Sequence, residues 1–482
     1  MGRYFAREVL RVLPVLLAAV LLAGSVAPAP LAQASPPSSP GPEYGAAVES
    51  ARAGRYDEAI ARTTQLIERE PNQLTSRLIR AMSYYFTAQP QLALEDLDYA
   101  LGRIGEDPSG RTLRALVHYE LGDYAEAVAD ALQALALPNL PPENVGAAHL
   151  VIGRVLLGRG QFAEAAGYFR AVQALPDPVN ARAGRMGLEL LAALPPVESP
   201  PPVRDAGDGF EVFDLGNRQI RFQSSNGVTP AAAYSLARLL NTQLDSIARV
   251  TGTAYTGPLQ LVVYKSEWDL ERALGGRYRG PGLSRALRQG VRLSGETTWQ
   301  QYVHVAVSNL ELLWDLTHEA VHLTQTTAGL DDVFSVAPAW LIEGHAEHVA
   351  GLLLRDVAPT SARFRLGHRG RAVAEAAPNE ALLDLRRLER VADWARAQSR
   401  DAEMVYGEAY YAAALMAERR GPGAEMAVLR AQRDGQEFET AFRAATGQTT
   451  EAFYADALAY ARRLAAVDAA AANDELTARA AR

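Results

Sequence analysis

Gly54-Arg55-Tyr56-Asp57-Glu58-Ala59 returns three times downstream in altered form. The copies are Ala88-Gln89-Pro90-Gln91-Leu92-Ala93, Gly122-Asp123-Tyr124-Ala125-Glu126-Ala127 and Gly160-Gln161-Phe162-Ala163-Glu164-Ala165. Their closing alanines lie 34, 34 and 38 residues apart. A fixed period of this length marks an array of stacked units, none of which can bury its apolar face alone. The small residue that opens each copy is expected at a turn, where it lets two helices approach. The aromatic two positions later packs between them, and the alanine keeps the crossing tight. Pro71 stands at the end of the first unit, and Pro138, Pro176 and Pro178 near the ends of later ones. The extra residues of the last period fall around Asn139-Leu140-Pro141-Pro142, a loop. Residues 179–193 form a closing helix that covers the last apolar face.

This period and pattern resemble the tetratricopeptide repeat over residues 43–176. The resemblance implies an α-helical superhelix, assigned to residues 43–194, with a concave face that takes a protein or peptide partner.

On the N-terminal side, Arg3, Arg7 and Arg11 precede an apolar stretch from Val12 to Val26, and Ala32-Gln33-Ala34 follows. That is the pattern of a signal peptide spanning residues 1–34. The rival reading is an uncleaved membrane anchor. Both place the body of the protein outside the cytoplasm, periplasmic or secreted. Residues 35–42, SPPSSPGP, are expected to be a flexible leader. The chain contains no cysteine. Lipid attachment through cysteine is thereby excluded, and any metal site must use histidine and carboxylates. The formal net charge of −8, with both signs interspersed, argues against nucleic acid as a partner.

On the C-terminal side, Leu194-Pro195-Pro196-Val197-Glu198-Ser199-Pro200-Pro201-Pro202 reads as a semi-rigid spacer, so residues 195–209 are expected to be a linker. Glu211–Leu215 and Gln219–Gln223 then read as paired strands around Gly216-Asn217. Pro230–Val250 has helical spacing, and Leu259–Tyr264 and Tyr302–Val307 read as strands. From Asn309 onward the chain reads as nearly all helix. A small sheet followed by helices predicts an α+β, mostly helical domain over 210–466. The Ala-rich stretch 467–482 is expected to be a frayed or disordered tail. The run GGRYRGPGLSRALRQG, from 275 to 290, reads as a Gly-hinged lid. Residues 355–400 offer no readable chemistry.

Inside the helical stretch Asn309–Thr327 stands His318-Glu319-Ala320-Val321-His322. Five of the eight histidines (His304, His318, His322, His345 and His348) fall in one window of 45 residues, which argues against a chance match. Residues four apart lie one above the other on a helix, so two imidazoles can converge on one cation. Glu319, rotated by about 100°, flanks the ion as a base instead of binding it. A hydrolytic zinc needs a third protein ligand and one open position. Gln325 and Ala328 rule out a third histidine shortly downstream. After Pro338 comes Trp340-Leu341-Ile342-Glu343-Gly344-His345-Ala346-Glu347-His348, with Gly329 and Asp331-Asp332 marking the intervening turn. Two antiparallel helices joined there bring Glu343 to His318 and His322. Glu347, one turn further, can accept the second imidazole proton of His318. Trp340 reads as a core anchor. His304 and His345 read as structural, and His348 as near enough to support the ligands.

HEAVH followed by WLIEGHAEH resembles the gluzincin metallopeptidases, in layout over residues 210–466. The resemblance implies one Zn2+ held by His318, His322 and Glu343. It also implies Glu319 as general base and Glu347 as the carboxylate that orients a ligand. It further implies an oxyanion-stabilising side chain near Val405-Tyr406-Gly407-Glu408-Ala409-Tyr410-Tyr411, with Tyr406 the first choice and Tyr410 the second. The strand Tyr302–Val307 is implied to be a sheet edge that pairs with extended peptide. The expected activity is an exported zinc-dependent peptidase whose repeats recruit substrate or partner. The alternatives are a catalytically inactive scaffold of the cell envelope and a zinc hydrolase acting on something other than peptides.

Overall fold

Each of the four sequence copies opens the second helix of a pair. The pairs are Pro42–Arg52 (α1) with Tyr56–Arg69 (α2), Leu74–Phe86 (α3) with Pro90–Ile104 (α4), Pro108–Leu121 (α5) with Tyr124–Ala136 (α6), and Pro142–Gly158 (α7) with Phe162–Gln173 (α8). Consecutive helices pack along a repeat-like array, and Pro178–Ala193 (α9) closes it against α8. Ala59, Ala93, Ala127 and Ala165 are wholly buried, as a close crossing requires. The small residues that open the copies have a different reason from the expected one. Gly54, Ala88, Gly122 and Gly160 all turn left-handed, with φ of 72°, 59°, 76° and 71°. Nothing crowds a Cβ placed on Gly54, so backbone conformation rather than helix approach selects glycine there.

The computed structural model describes residues 42–480, apart from 139, 225–226, 275–283, 294–295, 308, 328–336, 378–381 and 383. The expected signal segment, and all of the expected leader but its last residue, lie outside the described residues. After the array comes a six-stranded sheet: Arg204–Asp205 (β1), Glu211–Leu215 (β2), Arg218–Phe222 (β3), Leu259–Tyr264 (β4), Ser284–Leu293 (β5) and Glu296–Ala306 (β6). The strand order is β1-β2-β3-β4-β6-β5. β2 and β3 form the expected hairpin. β3 and β4 are parallel because Pro230–Thr251 (α10) carries the chain back between them. Thr229 starts that helix by accepting a hydrogen bond from the Ala232 amide, with Pro230 in its first turn.

Three expectations change here. Tyr302–Val307 is not a sheet edge: β6 lies between β4, parallel to it, and β5, antiparallel. Residues 284–290, expected to be lid, belong to edge strand β5, and the 275–283 part of that lid lies outside the described residues. Glycine and arginine hid this strand, because its pairing comes from β6 rather than from its own apolar alternation. Finally, β1 lies within the stretch expected to be spacer and already pairs with β2.

Helices Glu267–Ala273 (α11), Leu312–Thr326 (α12), Ala339–Val357 (α13), Pro359–Ala376 (α14), Val391–Arg400 (α15), Ala402–Arg420 (α16), Ala424–Arg433 (α17), Phe438–Thr446 (α18) and Thr450–Ala480 (α19) complete the chain. The last runs on through the expected Ala-rich tail. No helix among the described residues is long and apolar enough to cross a membrane. One core joins the array to the sheet and its helices. Phe169, Met186 and Leu190 pack in the same cluster as Phe213, Phe222, Leu236, Leu261, Trp314 and Trp340. Each such side chain contributes about 1.5–3 kcal/mol on burial. Polar contacts follow the same seam. Glu189 accepts hydrogen bonds from the Thr360 amide at 2.7 Å and the Ser361 amide at 3.0 Å, capping the start of α14. The Thr229 amide donates to the Gly158 carbonyl at 3.1 Å.

Candidate metal centre

Two helices build the site, and their contacts run in opposite directions. His318 meets Glu347, His322 meets Glu343, and Gln325 meets Ile342, so α12 and α13 cross antiparallel. The expected turn at Gly329 and Asp331-Asp332 lies outside the described residues. Asn309 shapes the entry to α12: its Oδ1 accepts from the Glu311 amide at 2.8 Å and its Nδ2 donates to Asp315 at 2.7 Å. Trp340 anchors α13. It is wholly buried, stacks on Phe453 and donates from Nε1 to the Tyr454 hydroxyl at 3.3 Å. Position 344 is glycine because α16 passes there, and a Cβ at 344 would collide with the Ala409 carbonyl oxygen.

His318, His322 and Glu343 are brought together and could hold a metal ion. The His318 and His322 Nε2 atoms lie 3.0 Å apart, and Glu343 Oε2 lies 3.3 Å from the first and 3.7 Å from the second. An ion bound at about 2.0–2.1 Å to three corners of a tetrahedron separates those corners by about 3.3 Å. The triangle therefore has the dimensions of three tetrahedral ligand atoms.

A polar side chain faces the far side of each ring. His318 Nδ1 lies 2.9 Å from Glu347 Oε1, an ion-pair distance. The Gln325 amide nitrogen donates to the Ile342 carbonyl at 2.9 Å and to His345 Nδ1 at 3.1 Å. Both amide protons are thus used, and Gln325 Oε1 faces His322 Nδ1 at 2.8 Å, where it accepts that proton. With its Nε2 proton released to make way for an ion, each ring would direct its Nε2 lone pair into the triangle, as ligand imidazoles do.

The electrostatics favour a cation in the triangle. Burial opposes charge on His318, but the carboxylates of Glu343 and Glu347 outweigh it and raise this group to about 10. His322 is raised as well, Glu343 overcoming the same cost of burial. Burial works against the Glu343 carboxylate too, yet His322 and His318 hold it well below the usual range. A divalent ion would take the place of the protons these carboxylates retain.

The remaining expected residues divide clearly. Glu319 follows His318 on α12 and is only 9% exposed. The Tyr406 ring centroid lies 6.2 Å from that of His318. Helix α15 seats this tyrosine: Trp394 packs edge-on at 5.2 Å, and the Gln398 amide donates to the phenolic oxygen at 3.1 Å. The phenolic proton is left to donate elsewhere. Burial first, and the charges of Glu343 and Glu347 next, push this phenol well above its usual value, so it stays neutral. Tyr410, one turn further along α16, packs on His348 at 6.0 Å and Tyr411 at 5.2 Å. His304 is buried, with Nδ1 3.1 Å from the Tyr264 hydroxyl, a structural histidine as expected. His345 joins the site's support through Gln325.

Several residues of the site were not legible in sequence. Gln325 figured only in excluding a third histidine. Arg365 and Arg369 of α14 are 5% and 0% exposed and form ion pairs beneath the site, Arg365 with Glu311 and Asp315, Arg369 with Glu347. Their signal in sequence is a four-residue spacing on one helix face, lost among Arg363 and Arg371. Neither the protein-family models nor the curated proteins compared give a match to this chain.

Proposed function

We propose that the protein is an exported zinc-dependent peptidase. The observation that carries this reading is the triangle of two Nε2 atoms and one carboxylate oxygen, with Glu347 and Gln325 facing the Nδ1 atoms of the two rings. Two imidazoles, one carboxylate and no thiol are a donor set suited to a catalytic zinc site with one open position. Bound there, zinc would supply Lewis acidity toward water and a substrate carbonyl. Glu319 would take the proton of the attacking water and pass it to the leaving amine. Tyr406 would donate its free phenolic proton to the developing oxyanion. Peptide is the favoured substrate class because β5 ends the sheet and contacts the His318 helix, so an extended chain could add to its outer edge. The helical array, read as tetratricopeptide-type repeats, would gather substrate or partner proteins.

The test is cleavage of casein or an unstructured peptide by the full-length protein and by Glu319→Gln. The proposal requires wild-type cleavage that chelator abolishes and zinc restores. It also requires a loss of about 10²–10⁴-fold in Glu319→Gln with zinc still bound. Equal activity in the two proteins rejects the catalytic assignment. A zinc-loaded protein that leaves every peptide intact turns the reading toward a non-peptide substrate or a scaffold.

A further inference from the structure

The carboxylate that orients His318 is itself held by one side chain. Glu347 is 1% exposed, and only one of its oxygens serves His318. The other forms an ion pair with Arg369, which is wholly buried. Arg369 Nε also lies 3.9 Å from Glu403, and its guanidinium carbon sits 4.8 Å from the centre of the Tyr406 ring. Helices α14 and α16 can approach this closely because residue 407 is glycine. A Cβ there would meet Val373 at 2.7 Å and the Arg369 carbonyl oxygen at 3.0 Å.

We infer that Arg369 is a positioning residue for the metal centre, fixing Glu347 against His318 from below and bearing on the Tyr406 ring from the side. The inference rests on the metal reading above. A planar guanidinium can face two carboxylates and a ring at once, which a lysine ammonium cannot do. Without Arg369, Glu347 would lose the guanidinium that holds its second oxygen. Glu347 would then be free to turn away, and the His318 ring would lose the carboxylate that faces its Nδ1. Loss of such a supporting contact typically lowers metal affinity by about 10–100-fold.

The experiment measures zinc affinity of the full-length protein by competition with a chromophoric chelator, with folding followed by circular dichroism. Arg369→Met and Glu347→Gln are each expected to weaken zinc binding about 10–100-fold. The double variant should lose no more than the weaker-binding single variant, because Arg369 acts through Glu347. Wild-type affinity in Arg369→Met, or losses that add in the double variant, overturns the inference and leaves the metal reading standing. A wild-type protein that binds no zinc overturns the metal reading and the inference with it. If Arg369→Met fails to fold, Arg369→Lys takes its place. It keeps a cation against Glu347 and should bind zinc more tightly than Glu347→Gln, and equal or weaker binding overturns the inference.

Discussion

Tyr406 and Tyr410 are one helical turn apart and chemically identical, and only their surroundings give them different roles. Tyr406 stands beside His318 with its oxygen accepting from Gln398, whereas Tyr410 packs on His348. Tyr406→Phe should therefore lower kcat by about 10²–10³ with little change in KM, while Tyr410→Phe keeps wild-type kcat. Steady-state kinetics on one peptide would check both, and equal effects would remove the distinction. A second residue makes a prediction about stability. Glu425 is wholly buried, and neither carboxylate oxygen has a hydrogen-bond partner among the described residues. Burial raises it from 4.5 to about 8. Because the folded value lies above the unfolded one, the native state prefers the protonated form. Stability is complete below about 4.5 and falls as pH rises toward 8. Glu425→Gln should match the wild type in unfolding free energy near pH 4.5 and exceed it increasingly up to pH 8, by about a few kcal/mol at most. A constant difference across that range would contradict the assignment. His318 with His322, and Glu343 with Glu347, were legible as pairs because helical spacing fixes which side chains share a face, and the motif resemblance joined the two pairs. Arg369 was not, because sequence gives a charge without its partner, and most arginines on such a helix are solvated.

At the scale of elements, the four left-handed turns of the array show what a sequence repeat does and does not reveal. The period gave the helix pairs and the buried alanines. It did not give the reason for the opening small residue, which is backbone conformation. Ala88 alone occupies that conformation with a Cβ, against glycine in the other three copies. The left-handed state costs a residue with a Cβ about 1–2 kcal/mol, more than the roughly 0.4–1 kcal/mol of unfolded-chain entropy that glycine adds. Ala88→Gly should thus stabilise the protein by about 0.5–1 kcal/mol, seen as a higher midpoint in urea, and a lower midpoint would contradict this account of the turn. Strands were legible where apolar residues run together, as in β4, whose bounds match the expectation. β5 was not, because an edge strand needs no apolar run when its neighbour supplies the hydrogen bonds. That displaced edge moves the expected peptide-pairing strand one place outward, from β6 to β5.

Over the whole molecule, the array and the sheet-bearing half share one core, and Glu189 caps the helix that carries Arg365 and Arg369. The proline-rich run reads as a semi-rigid spacer at a domain boundary, and local composition carries no information on what packs across it. The array therefore packs against the helix whose arginines pair with Glu311, Asp315 and Glu347. The central claim remains that α12 and α13 assemble one metal site from His318, His322 and Glu343. Elemental analysis of the full-length protein after exhaustive dialysis tests it most directly, alongside Glu319→Gln and the paired substitution His318→Ala with His322→Ala. The account predicts one zinc per chain in the wild type and in Glu319→Gln, and none in the histidine variant. A wild-type protein without zinc, or zinc that persists when both histidines are gone, would contradict it.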